Sequence, residues 1–183
     1  MAFVKTTWID DAAPSVSAAQ LNRIEAGIDD VYNGGLRKAR AAWRVYISGA
    51  APSLAAYAVV PFDTAPAALN ADGVYDLVNR RMVAPVTGFY YAFGAIAFNY
   101  TAAGQFQSAF RKNQTGTGSG GVISFGSSAS TSNGAAPASV HHDLIQLNAG
   151  EWIDFVPWHN AGGNITLYNN TTNTFFGGFL VGT

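Results

Sequence analysis

The run Gly88-Phe-Tyr-Tyr-Ala-Phe-Gly-Ala-Ile-Ala-Phe98 constrains the fold more than any other stretch of the chain, because almost every position in it is apolar. A strand with one solvated face alternates apolar and polar side chains, whereas a strand without that alternation needs cover on both faces. One face of this segment is therefore expected to look into a sandwich and the other toward a neighbour. The run falls far short of the roughly 20 apolar residues that a membrane helix needs, as does every other stretch, so no membrane insertion is expected.

The surrounding texture is that of a β protein. From Trp43 onward, short β-rich runs are separated by Gly, Pro and Asn. Candidate strands are Trp43–Ser48, Tyr57–Phe62, Arg81–Ala84, Gly88–Tyr100, Phe106–Lys112, Val122–Phe125, His142–Leu147, Trp152–Trp158, Asn164–Tyr168 and Phe175–Val181. Such a series with no helical period points to a sandwich or barrel. Gln114–Gly121 and Gly126–Ser139 read as surface loops of small residues.

The N-terminal part differs. Residues 1–16 carry Trp8, Asp10, Asp11 and Pro14 and read as an extended arm. Ser17 and Gln20 have the spacing of a capping box, in which each side chain satisfies a backbone N–H of the first turn. Leu21, Ile24, Ile28 and Val31 then recur at spacings of three, four and three, placing one apolar stripe on a helix that Gly34-Gly35 ends. A helix of about 15 residues is marginal alone in water and needs a partner. Either the β domain covers the stripe or equivalent helices of sister chains do, and isoleucine at successive core positions favours trimers in parallel coils.

Only 11% of the 183 residues are charged, against about 25% in a typical soluble domain. Neutral Ser, Thr, Asn, Gly and Ala, or sister subunits, must cover the surface, and oligomerisation is expected. A net charge of −1 leaves nothing to attract a polyanion, so no nucleic-acid partner is expected. The densest basic run, Arg37 to Arg44, reads as a solvated linker. With no cysteine, disulfides and thiolate sites are excluded. The opening residues lack the apolar stretch of a secretory signal, so synthesis in a cytoplasm is expected. The sequons at Asn99, Asn113, Asn164, Asn169 and Asn170 then read as Asn/Thr-rich turns and strands.

No catalytic centre emerges. Gly116-Thr-Gly118-Ser-Gly-Gly121 matches the dinucleotide pattern G-x-G-x-x-G, but that fingerprint needs a helix after its last glycine, and Val122-Ile-Ser-Phe continues as a strand. His141 and His142 are adjacent, so on a strand they point to opposite faces and cannot share an ion without a bulge. His159 stands alone. Asp63, Asp72, Asp76, Asp143, Glu151 and Asp154 are scattered, with no two marked as an acid and base pair. No cofactor and no metal site is expected. The aromatic residues Trp43, Tyr57, Tyr75, Tyr90, Tyr91, Trp152, Trp158, Tyr168, Phe175 and Phe176 are core side chains or, where exposed, platforms for stacking on sugars.

Several pieces together resemble the globular head of complement subcomponent q and its tumour-necrosis-factor-like relatives. They are Phe62-Asp63, Tyr75-Asp76, Arg81-Met-Val-Ala-Pro-Val-Thr-Gly88-Phe-Tyr90, Leu147-Asn-Ala-Gly150-Glu-Trp-Ile-Asp-Phe155 and Phe175-Phe-Gly-Gly-Phe-Leu180. Family members carry Gly-x-Tyr-x-Phe where this chain has Ala92 in place of the Phe and Phe93 one position later, a departure that bears on the local register. The resemblance implies an all-β, ten-stranded jelly-roll sandwich over residues 43–183, preceded by a short N-terminal α-helix. It also implies a homotrimer around an apolar axis, a binding fold and not an enzyme. Tyr90, Phe93, Ile96, Phe98, Phe176 and Phe179 are the candidates for that axis.

Thr7-Trp-Ile-Asp-Asp, followed by Ala18-x-x-Leu21-Asn22-x-Ile24-Glu25-x-Gly27-Ile28, resembles the opening of many phage tail, fibre and baseplate-associated proteins. The resemblance implies that residues 1–42 form an attachment arm and trimerising helix, with Trp8, Leu21, Ile24, Ile28 and Val31 docking to other virion proteins. The expected function is that of a structural bacteriophage virion protein, assembled in the host cytoplasm. It would be a homotrimeric tail fibre or tail-tip component that recognises a host surface glycan or protein. The alternative is a capsid decoration or head-fibre protein on a threefold site of the shell.

Overall fold

The computed structural model describes residues 18–29, 41–67, 70, 73–100, 104–127, 129–131, 137–169 and 171–183. The chain divides into two compact units, Met1–Arg40 and Ala41–Thr183. In the first, helix α1 spans Ala18–Asp29. Ile24 and Ile28 are exposed on it, at 55% and 48%. Trp8, Ser17, Val31, the Gly34-Gly35 stop and the side chain of Leu21 lie outside the described residues.

The second unit holds twelve strands among the described residues: β1 (Ala42–Tyr46), β2 (Ser53–Leu54), β3 (Tyr75–Asp76), β4 (Arg81–Val83), β5 (Gly88–Asn99), β6 (Gly104–Lys112), β7 (Val122–Phe125), β8 (Ala129–Thr131), β9 (Ala138–Leu147), β10 (Trp152–His159), β11 (Ile165–Leu167) and β12 (Phe175–Gly182). One sheet runs β1-β12-β5-β11-β2, with β9 also paired to β5. The other runs β3-β4-β10-β6-β7, with β8 also paired to β6. The chain crosses between the sheets from β2 to β3, β4 to β5, β5 to β6, β8 to β9, β9 to β10 and β10 to β11, which makes the sandwich a jelly roll.

The period of two along β5 decides what each apolar residue does. Tyr90, Ala92, Ile96 and Phe98 point inward and are buried. Phe89, Tyr91 and Phe93 point outward and keep some exposure. Phe176 on β12 is fully buried among Trp43, Phe155 and Phe110, with ring centroids 5.5, 5.5 and 5.6 Å away. Burial of each such ring contributes roughly 1.5–3 kcal/mol. Gly178, inward on β12, is required by this packing, since a Cβ there would run into the Trp43 indole and the Tyr91 carbonyl.

The turn before β5 is held by its own residues. The Tyr90 hydroxyl donates to the Val86 carbonyl at 2.6 Å. The Thr87 hydroxyl accepts the Ala149 N–H at 3.0 Å, which joins this turn to the one between β9 and β10. Ala92 keeps the inward position and Phe93 faces out.

Three segments differ from the sequence reading. Tyr57–Phe62 is no strand: it lies beside β10 through the bonds from Tyr57 N–H to the Pro157 carbonyl and from Val60 N–H to the Phe155 carbonyl. Pro61 has no N–H to extend that pairing, and Tyr57 takes a positive φ of 63°. Gly126–Ser139 contains β8 and the start of β9, because its serines satisfy buried groups. Ser139 Oγ donates to the Ser127 carbonyl and accepts the Ser108 N–H. The short β2 and β3 are additions.

Candidate functional site

The outward side chains of β1, β12, β5 and β9 form rows across the first sheet. Register places Tyr46, Phe175, Ala95 and Val140 in one row, then Arg44, Gly177, Phe93 and His142, then Ala42, Phe179, Tyr91 and Leu144. The Tyr91 ring lies 6.0 Å from Phe93, 5.6 Å from Phe179 and 6.1 Å from the His142 imidazole. Phe93 meets Phe175 at 6.3 Å, and the Arg44 guanidinium sits over Phe175 at 5.1 Å. Gly177 leaves room for this layer, since a Cβ would press on the Phe93 ring. Val140 and Leu144 are 56% and 54% exposed, and Phe179 46%. A contiguous apolar patch of this kind on a single chain marks an interaction surface.

A second exposed apolar site lies on a strand edge. Ile123 and Phe125, on the same face of β7, are 42% and 46% exposed. β7 ends the second sheet, where an uncovered apolar strand invites a partner.

The outer face of the second sheet is closed by its own chain. The Arg111 guanidinium donates to both carboxylate oxygens of Asp154, at 2.9 and 2.6 Å, and the pair is buried. Burial pushes the Asp154 carboxyl up, and the Arg111 guanidinium opposes that shift. The same guanidinium donates to the Gly116 and Gly118 carbonyls at 2.9 and 3.3 Å. The glycine-rich loop therefore turns two of its carbonyls toward a cation. A phosphate cradle instead presents N–H groups.

The three histidines occupy three environments. His141 points inward and stacks on Phe110 with centroids 4.0 Å apart; burial lowers its pKa to about 4, and its Nδ1 has no partner. His142 points outward. His159 is buried near the Leu54 carbonyl, 3.3 Å from Nε2, and burial lowers its pKa. Among the described residues no three His, Asp or Glu side chains gather.

The other acids serve turns. Asp63 accepts from Ser48 N–H, Gly49 N–H and the Thr64 hydroxyl, and although burial acts the other way these bonds leave its pKa lowered. Asp76 accepts from Asn79 and Val78, and Glu151 from Lys112 and Asn148; both carboxyls are held below their ordinary range by those bonds. Asp143 accepts its neighbour's N–H at Leu144. Asp72 lies outside the described residues.

These placements divide the candidates for a subunit axis. Tyr90, Ile96, Phe98 and Phe176 are fully buried within the single chain and belong to its core. Phe93 and Phe179 face outward. Sequence reasoning missed Tyr91, His142, Leu144 and Val140 as their companions, and Ile123 and Phe125 on the edge. Strand parity separates Tyr91 from Tyr90 on β5, whereas His142, Leu144 and Val140 join it only through the β5–β9 register. Of the candidate sugar platforms, Trp43, Tyr75 and Tyr90 are buried, and Trp152 is stacked by Arg81 at 4.7 Å.

This architecture of two sheets joined by crossovers is a jelly roll, similar to those of solved tumour-necrosis-factor and complement 1q domains. The Eiger TNF of S. frugiperda superposes with a TM-score of 0.62 at 10% identity, over 78% of this chain and 92% of that one. The globular domain of zebrafish complement 1qA protein gives 0.59 at 16% identity, over 78% and 97%. Murine APRIL gives 0.56 at 12% identity, over 78% and 99%. No family model and no curated protein matches the sequence.

Proposed function

We propose that the chain is a non-enzymatic, homotrimeric structural protein of a bacteriophage virion, a tail fibre or tail-tip component whose β domain binds the host cell surface. The observation that carries the assembly is the pair of unlike apolar surfaces, the Tyr91–Phe93–Phe179–Leu144 face and the Ile123–Phe125 edge. A face that fits an edge makes a heterologous contact, and a rotation that closes turns such contacts into a ring. Three subunits are supported by the fold's likeness to tumour-necrosis-factor and complement 1q domains and by the exposed Ile24 and Ile28 of α1, which suit a parallel three-helix seam. The virion assignment is supported by the phage-like Ala18–Ile28 phrase.

Light scattering on the purified chain is expected to give three times 19.2 kDa at micromolar concentration. Phe179→Arg is expected to give a monomer with an unchanged circular-dichroism spectrum, and removal of residues 1–42 to abolish incorporation into particles. A monomeric wild-type chain sinks the assembly, and a truncated chain that still enters particles sinks the docking role. Purified protein should adhere to host cells and block adsorption; binding to emptied capsids instead would place it on the shell.

A further inference from the structure

On the outer face of the first sheet, His142 stands on the outermost strand β9 among apolar side chains, at the opposite end of its row from Arg44 on β1. Along β9 the outward residues on either side of His142 are Val140 and Leu144, and across β5 its register partner is Phe93. Tyr91 is its ring neighbour at 6.1 Å. We infer that His142 makes assembly through this face proton-sensitive: copies associate while its imidazole is neutral and separate once it is charged. This rests on the reading that sister chains cover the face.

The argument is one of charge without a counter-charge. No outward position of β1, β5, β9 or β12 within the rows around His142 carries a carboxylate. Asp143 and His141 flank it in sequence but turn to the opposite face of β9. Arg44 lies in the same row three strands away, roughly 14 Å at ordinary strand spacing, and would only repel a second cation. The Lys112–Glu151 ion pair reaches β9 at the Gln146 carbonyl, four residues from His142. From a neighbouring copy, the β7 edge brings Val122, Ile123, Ser124 and Phe125, again without an acid. An imidazole charges between pH 5 and 8. Covering an imidazolium with apolar side chains removes its water and returns no partner, so the protonated chain is the one that stays free.

Each chain in a ring of three must shed its proton, so the association constant is expected to fall between pH 8.0 and 5.5 with a limiting slope of about 10-fold per pH unit per chain, or ~1000-fold per pH unit per trimer. The test is sedimentation velocity on the full chain at pH 8.0, 6.5 and 5.5, with near-ultraviolet circular dichroism on the same samples. The inference expects a trimer at pH 8.0 and dissociation toward pH 5.5 with the near-ultraviolet spectrum retained. His142→Gln, neutral throughout, should stay assembled at all three. A wild-type trimer that persists unchanged at pH 5.5 overturns the proton sensitivity and leaves the assembly reading standing. A His142→Gln trimer that still falls apart also overturns it, because another group then carries the effect. A wild-type monomer at pH 8.0 overturns the assembly reading and this inference with it.

Discussion

The inner and outer faces of the β5 sheet are equally aromatic, yet they play opposite parts. Inside, Tyr90, Ile96, Phe98 and Phe176 are fully buried by the same chain. Outside, Tyr91, Phe93, Phe175 and Phe179 touch one another and remain partly exposed. Composition is therefore a poor guide to role in this sheet, and parity is a good one. Over Phe89–Phe93 of β5, the even positions stabilise the fold and the odd ones keep area exposed, whereas Ala95 and Ala97 further along are buried despite their odd positions.

The sharpest way to break that contrast is to truncate matched rings on β12. Phe176→Ala removes the ring that joins Trp43, Phe110 and Phe155 and should destabilise the chain by about 3–5 kcal/mol, read as a lower urea midpoint at every protein concentration. Phe179→Ala should leave the midpoint of the dissociated chain almost unchanged and reduce only the concentration dependence of unfolding. Equal losses at both sites would erase the distinction between the faces.

The second sheet extends the comparison, since its outer face holds a buried ion pair that its own glycine-rich loop covers. Asp154→Ala leaves the Arg111 guanidinium buried without its anion and should destabilise by about 3–5 kcal/mol. Replacing both partners with leucine should recover most of that loss in the same urea titration. The double variant also frees the Gly116 and Gly118 carbonyls, so faster proteolysis of the 114–121 loop is expected.

Two glycines of the last strand refine the picture on a smaller scale. Gly178→Ala drives a methyl into the Trp43 indole and should destabilise by about 1–3 kcal/mol. Gly182→Ala meets nothing within 4 Å and should be neutral in a thermal melt. A neutral Gly178→Ala would mean that Trp43 can shift, and that the inner face is looser than its burial indicates.

Much of this was legible beforehand because it rests on local patterns. The unbroken apolar run at Gly88–Phe98 marked a strand with apolar side chains on both faces, and the Gly, Pro and Asn punctuation marked the ends of most strands. The outer face was only half legible. Which residues of β5 look out depends on its register against β9, where Gly94 faces His141, and on Trp43 taking the space above Gly178. Those are contacts between segments far apart in the chain. Tyr57–Phe62 misled because its composition suits a strand while Pro61 and the positive φ at Tyr57 prevent one.

A last contrast separates the two adjacent histidines of β9. His141, on the inner face, has its pKa lowered by burial to about 4, whereas the unfolded chain takes up that proton near the ordinary 6.5. Stability is then complete above pH 6.5 and declines as pH falls toward 4, by on the order of 3 kcal/mol. His159, lowered by burial as well, adds in the same direction. The lowered carboxyls of Asp63, Asp76 and Glu151 act later, as pH falls through the carboxylate range. Urea titrations of the dissociated chain at pH 7.5, 6.0 and 4.5 should show the decline, and His141→Phe should flatten part of it while leaving the pH dependence of assembly in place. If His141→Phe instead abolished the pH dependence of assembly, the two faces of β9 would not be separable, and the division of labour between inner and outer positions would fail at this strand.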